Sequence, residues 1–127
     1  MGYNKCIGKA VDMLLDLVYP RNIHCILCGD GIEPTEKYSM CTPCRDRVKF
    51  IASRFCEKCG KPLESLYVPQ KCPDCMTVSH YFTRGFSCVE YDDAVKKMIY
   101  QLKYHQKRYL AHPIGQMMAD RLRKTDV

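Results

Sequence analysis

The residues CILCGDGIEPTEKYSMCTPC, 25–44, and CEKCGKPLESLYVPQKCPDC, 56–75, repeat one cysteine frame at an offset of 31 positions. Each copy opens with Cys-x-x-Cys-Gly, runs twelve residues, and closes with a second Cys-x-x-Cys. A Cys-x-x-Cys turn presents two thiolates to one ion. Two such turns complete a tetrahedral site with no open position, the arrangement of structural zinc. Gly29 and Gly60 stand where the tight backbone after the first pair favours glycine. A piece of about 31 residues cannot bury enough apolar surface to offset its conformational entropy. Structural zinc contributes on the order of 10–16 kcal/mol per site in small peptides, so the metal takes the place of a core.

The candidate ligands are Cys25, Cys28, Cys41, Cys44, Cys56, Cys59, Cys72 and Cys75, and the expected cofactor is zinc, two ions per chain. Four-sulfur tetrahedral sites also hold iron. Two ligand pairings are open. Sequential pairing builds one site inside each copy, whereas a cross-braced arrangement joins the first knuckle to the third and the second to the fourth. The 31-residue repeat favours the sequential form, because repeats mark whole structural units. A redox Cys-x-x-Cys needs a thioredoxin-like strand and helix around one pair, not four pairs in series. No pair is followed by His, which excludes haem attachment.

Ten cysteines in 127 residues also suit a secreted disulfide scaffold. The N-terminus, MGYNKCIGKAVDMLLDLVYP, argues against that compartment, since Asp12 and Asp16 interrupt its apolar part and make it a poor signal peptide. It is also too short and too charged for a membrane span. The expectation is a cytoplasmic chain without a membrane partner. Cys6 and Cys88 lack partner spacing and read as plain thiols.

The chain divides into residues 1–19, a helix; 20–77, the double cysteine frame in short β-hairpins; and 78–127, a strand and two helices. Ile7, Ala10, Val11, Leu14, Leu15 and Val18 form a helical stripe ended by Pro20, expected to pack on the ribbons. Residues 78–91 are rich in aromatic and β-branched types and predict one strand or two short ones. Asp92 and Asp93 then cap a helix whose apolar face is Val95, Met98, Ile99 and Leu102. A further helix around Pro113 carries Ile114, Met117, Met118 and Leu122. The fold class is a small metal-stabilised α+β.

The formal net charge is +6 with cysteine counted neutral. Two zinc ions add four charges and eight thiolates remove eight, which leaves the loaded protein near +2. Between Ala94 and Lys124 stand eight Lys or Arg and one acidic residue, Asp120. Lys96, Tyr100, Lys103 and Lys107 share a helical face, with Lys97, Tyr104 and Arg108 beside it. Lysines interleaved with tyrosines suit phosphates and stacked bases, although a solvated helix face is the commoner cause of such a pattern.

LVYPRNIHCILCG, CEKCGKPL and YDDAVKKMIYQLKYHQKRYLAHPIGQMMADRL together resemble the N-terminal part of the ComF family. That resemblance implies a double zinc ribbon ahead of a phosphoribosyltransferase-like domain, and a link to competence and the import of single-stranded DNA. The expected partners are single-stranded DNA and other competence or DNA-processing proteins. Residues 78–127 then correspond to a truncated start of the transferase-like domain. The acidic pair with a Thr-Thr-Gly type loop that binds the ribose-phosphate donor does not occur, nor does an Arg-Gly-Phe-Asn-Gln type loop. The chain is therefore expected not to be an enzyme, and no catalytic residue is assigned. The alternatives are a fragment of a phosphoribosyltransferase-like enzyme and a stand-alone ribbon adaptor for protein contacts. With no transferase sheet to cover them, the apolar faces of 91–122 are expected either to mediate self-association or to lack local order.

Overall fold

The computed structural model describes residues 3–18 and 20–125, with side chains from residue 7 onward in the first helix. The Cys6 thiol lies outside the described side chains. Five helices follow in order: α1 (Tyr3–Val18), α2 (Thr42–Arg47), α3 (Pro73–Thr77), α4 (Asp93–Tyr104) and α5 (Ala111–Arg123). Single 3₁₀ turns lie at Lys37–Ser39 and Arg108–Leu110.

Helices α4 and α5 begin as their sequences dictate. Asp92 caps α4, its carboxylate accepting from the Val95 N–H at 2.9 Å. Pro113 stands in the first turn of α5, where a missing N–H costs no helical hydrogen bond. Arg121 and Arg123 in its last turn complement the helix dipole.

Their apolar faces close onto the first cysteine frame. Val95, Met98, Leu110 and Met117 are buried in one cluster with Cys25, Ile26, Tyr38, Met40, Cys44 and Val48. Met40 and Leu110 are wholly buried. At about 1.5–3 kcal/mol per buried apolar side chain, this cluster is the main apolar stabilisation of the chain. The expected lack of local order over 91–122 is thus corrected, because most of the stripe finds a core within this chain. Val95, Met98 and Met117 are buried, and Ile99, Leu102 and Ile114 pack against the cluster. Met118 and Leu122 stay exposed.

Polar contacts fix α5 in place. Asp120 accepts from the Tyr38 hydroxyl at 2.8 Å and pairs with Lys37 at 2.9 Å. Tyr38 holds φ at +60°, an uncommon conformation for an aromatic residue. Its buried ring, tilted against Phe50 with centroids 5.5 Å apart, keeps it there.

Three sequence expectations fail. The cysteine frames carry one β-bridge each, His24 with Gly31 and Phe55 with Pro62, rather than hairpin ladders. Residues 78–91 form no strand. They contribute a single bridge, Val89 with Phe50, flanked by Ile51 N–H to Cys88 O and Glu90 N–H to Lys49 O. The backbone beside it is the short link at Lys49–Ile51 and the turn at Lys58–Gly60, which offer no continuous ladder. Third, α1 does not pack on the ribbons. Ile7, Val11, Leu14, Leu15, Leu17 and Val18 are all exposed. The apolar cluster of the first ribbon is completed by residues of α4 and α5, not of α1.

Candidate metal centres

Both sites are built by the same local chain path. In each copy the glycine after the first pair turns back through a left-handed conformation, with φ of +83° at Gly29 and +78° at Gly60. Its N–H donates to the carbonyl of the first cysteine, Gly29 to Cys25 at 2.9 Å and Gly60 to Cys56 at 2.8 Å. The N–H of that first cysteine donates across the turn, Cys25 to Asp30 O and Cys56 to Lys61 O. The second pair of each copy is held by a short helix, with Cys41 preceding α2 and Cys72 preceding α3. Pro43 and Pro73 start these helices.

Four sulfurs converge in each copy. Those of Cys25, Cys28, Cys41 and Cys44 all lie within 4.8 Å of one another, and so do those of Cys56, Cys59, Cys72 and Cys75. The Cys28–Cys41 separation is 3.7 Å and the Cys59–Cys72 separation 3.8 Å. A tetrahedron with Zn–S bonds of about 2.3 Å has S···S edges of about 3.8 Å, so the spacing is that of sulfurs around a single zinc ion. Each cluster draws its ligands from one copy of the repeat, which is the sequential pairing.

The electrostatics favour thiolate. Burial pushes the Cys25 thiol up, but N–H donors of Cys28, Cys41 and Leu27 outweigh it and bring the group down to about 6. Cys56 is likewise raised by burial and brought down to about 6 by N–H donors of Cys59, Cys72 and Lys58. The Cys72 N–H lies 3.3 Å from the Cys56 sulfur. Burial, reinforced by the neighbouring sulfurs, pushes Cys75 up to about 12. Before metal enters, each site therefore holds one thiol already disposed to ionise, and a bound cation draws off the remaining protons. The Arg47 guanidinium, 3.2 Å from the Cys44 sulfur, adds a positive charge outside the first site. With four sulfurs around each ion, no coordination position is left for an activated water.

The two centres differ in their surroundings, although their frames repeat. Cys25 and Cys44 belong to the apolar cluster with α4 and α5. The second centre has Cys56 and Cys72 buried but stands outside that cluster. A clamp joins it to the rest of the chain. The guanidinium of buried Arg121 lies 4.3 Å from the Phe55 ring centroid, and its Nε–H donates to Ser87 O at 3.1 Å. Gly85 N–H donates to Lys58 O at 2.7 Å, and the backbone of residues 85–87 packs directly on Gly60. Sequence reasoning missed Arg121, since its burial depends on the placement of α5 against residues 55 and 87.

Cys88 is half-buried, and burial raises its thiol against the opposing charge of Arg121. The seven residues singled out for nucleic acid lie on α4 and the turn after it. Lys96, Lys97, Tyr100, Lys103, Tyr104 and Arg108 are exposed, and Lys107 is half-buried. Among the described residues no helix is long and apolar enough to cross a membrane.

Comparison with curated proteins and with solved structures finds no match to the chain. The family model of the double zinc ribbon domain matches residues 14–77, half of the chain and all eight clustered cysteines. Two four-cysteine clusters fitting two zinc ions, joined to that match, place the chain in the double zinc ribbon domain family.

Proposed function

We propose that this protein is a non-catalytic double zinc ribbon module of the ComF type that holds single-stranded nucleic acid on the exposed face of α4. The observation that carries the reading is a basic face with no acidic partner. Among the described residues, Lys96, Lys97, Lys103, Lys107 and Arg108 make no ion pair. Tyr100 and Tyr104 stand between them, 54 % and 68 % exposed, with ring centroids 4.7 Å apart. Cations track a phosphate backbone and exposed rings stack on unpaired bases, a combination that suits single strands of any sequence. The opposite face of α4 is buried against the first ribbon, so the zinc unit supports the binding face without touching the ligand. The resemblance to ComF proteins, linked to import of single-stranded DNA, points to the same ligand. The closed thiolate sites, with no position for an activated water, support a role without catalysis at the metal.

The test is fluorescence anisotropy with a labelled oligonucleotide of roughly 20 nucleotides, long enough to span a site of 4–16 nucleotides. Binding is expected to weaken with salt at a log–log slope of about −3 for four or five neutralised phosphates. Lys96→Glu with Lys103→Glu should flatten that slope. Tyr100→Ala should weaken binding by roughly 5-fold to 150-fold, the equivalent of about 1–3 kcal/mol of stacking. Absence of binding at low salt, or binding unchanged in both variants, would refute the proposal.

A further inference from the structure

The two metal centres repeat one frame but differ in how solvent reaches their sulfurs. Cys28 is exposed, whereas its counterpart in the second copy, Cys59, is half-buried. Their neighbours across the frame differ in the same sense, since Cys41 is half-buried and Cys72 is only 1 % exposed. The Cys28–Cys41 sulfur pair, 3.7 Å apart, therefore stands at the surface. The Cys59–Cys72 pair, 3.8 Å apart, is partly covered.

The cover over the second knuckle has an identifiable source. Gly85 N–H donates to Lys58 O at 2.7 Å, and a Cβ on Gly85 would come to 3.0 Å from Cys59 O. A Cβ on Gly60 would meet Ser87 N at 2.7 Å and Gly85 O at 2.9 Å. At the equivalent Gly29 an added Cβ meets nothing within 4 Å. Residues 85–87 thus lie over the second knuckle, while none of the described residues lies over Gly29 in this way.

A solvent-accessible thiolate with a second thiolate beside it is the arrangement that oxidants attack. A bound zinc ion keeps all four sulfurs as thiolates. In the first centre Cys25 and Cys44 are buried, at 3 % and 1 % exposure. That leaves Cys28 as the point of entry and Cys41 as the sulfur placed to answer it.

From these observations we infer that Cys28 is a modification site for hydrogen peroxide, and that its oxidation to a Cys28–Cys41 disulfide opens the first centre ahead of the second. The inference rests on the two metal centres and not on the nucleic-acid reading. The Cys28 sulfur attacks one peroxide oxygen, the O–O bond breaks, and hydroxide departs, leaving a sulfenic acid. The Cys41 thiolate then attacks that sulfur, the S–S bond forms, the S–O bond breaks, and a second hydroxide departs. Two electrons pass from the two thiolates to the peroxide, and two protons from solvent convert the hydroxides to water. Only Cys25 and Cys44 then remain as ligands, too few for a structural tetrahedral site. Both belong to the apolar cluster that seats Val95 and Met98 of α4, so opening this centre loosens that helix.

The experiment treats the zinc-loaded full chain with hydrogen peroxide. Native mass spectrometry counts the ions per chain over time, and trapping of free thiols with peptide mapping locates each modification. A one-zinc intermediate is expected, carrying a Cys28–Cys41 disulfide with Cys59 and Cys72 still reduced. The first ion should leave at least about tenfold faster than the second. Hydrogen exchange in α4 should speed up at that stage, while residues 56–62 keep their protection. Cys28→His retains a zinc ligand but lacks the attacking sulfur, so it should slow loss of the first ion at least about tenfold. Two ions lost at equal rates, the second lost first, or a first ion lost without a Cys28–Cys41 disulfide overturns the inference. So does a Cys28→His chain that holds two ions and loses the first as fast as the wild type. If that variant holds a single ion, the wild-type disulfide map and order of release decide alone.

Discussion

Gly29 and Gly60 occupy equivalent turns, yet replacing each by alanine should have unequal effects. Both adopt φ near +80°, so either substitution forces an alanine into the left-handed region at about 1–2 kcal/mol. At Gly29 the added methyl meets nothing within 4 Å. At Gly60 it would sit 2.7 Å from Ser87 N, 2.9 Å from Gly85 O and 3.1 Å from Phe86 C. These are backbone atoms, which cannot turn aside as a side chain can. Overpacking of this kind adds about 1–3 kcal/mol. Gly60→Ala should therefore cost roughly 1–3 kcal/mol more than Gly29→Ala. The excess should also appear at a distance, because Ser87 O is the acceptor for Arg121 on α5. Urea unfolding of the zinc-loaded variants, followed by circular dichroism, measures the difference. Hydrogen exchange at residues 83–90 locates it. Equal destabilisation by the two substitutions would refute the contact between the second knuckle and residues 85–87.

Three further outcomes follow from the same geometry. Cys59→Ser should lower the zinc content from two ions per chain to one and leave the first ribbon folded, since each cluster takes its ligands from one copy; loss of both ions together, read by metal analysis, would contradict that. Leu110→Ala, at a wholly buried position between α4, α5 and the first ribbon, should cost about 2–5 kcal/mol in denaturant unfolding and speed hydrogen exchange in α4. Zinc binding should release fewer than eight protons per chain at pH 7.5 and more as pH falls through about 6, because Cys25 and Cys56 are already largely ionised above that value. The sign follows from their lowered values. In the metal-free chain the two thiolates contribute stability in full above about pH 9, and it is lost as pH falls through about 6. Calorimetry in buffers of different ionisation enthalpy counts the protons, and a release independent of pH would contradict the assignment.

The metal centres were legible in the sequence because ligand spacing is itself a geometric statement. A Cys-x-x-Cys-Gly turn has few ways to fold, and a second pair twelve residues later has few ways to reach it. The caps and faces of α4 and α5 were legible for a related reason. Asp92 and the spacing of Val95 and Met98 act within a few residues of chain. What covers a face is a different matter. The periodicity of α1 is as regular as that of α4, yet Val95 is buried and Val11 is exposed. Only the placement of α4 and α5 on the first ribbon separates them, and that depends on contacts far apart in the chain. Residues 78–91 misled because β-branched and aromatic composition records a half-buried extended chain. It does not record whether a strand runs alongside. Here the neighbours are Lys49–Ile51 and the turn at Lys58–Gly60, which yield one bridge. The inequality of the two ribbons was hidden for the opposite reason. Identical cysteine spacing masks the fact that the first ribbon lies in the apolar core, while the second is joined to it through Arg121 and Gly60.

Two closed four-thiolate zinc centres, one in each copy of the frame, hold this chain together. Zinc K-edge X-ray absorption on the purified protein, combined with metal-to-protein stoichiometry, tests it most directly. Two zinc ions per chain are expected, each with four sulfur neighbours at about 2.3 Å and no nitrogen or oxygen in the shell. One ion or none, or a shell containing lighter ligands, would contradict it.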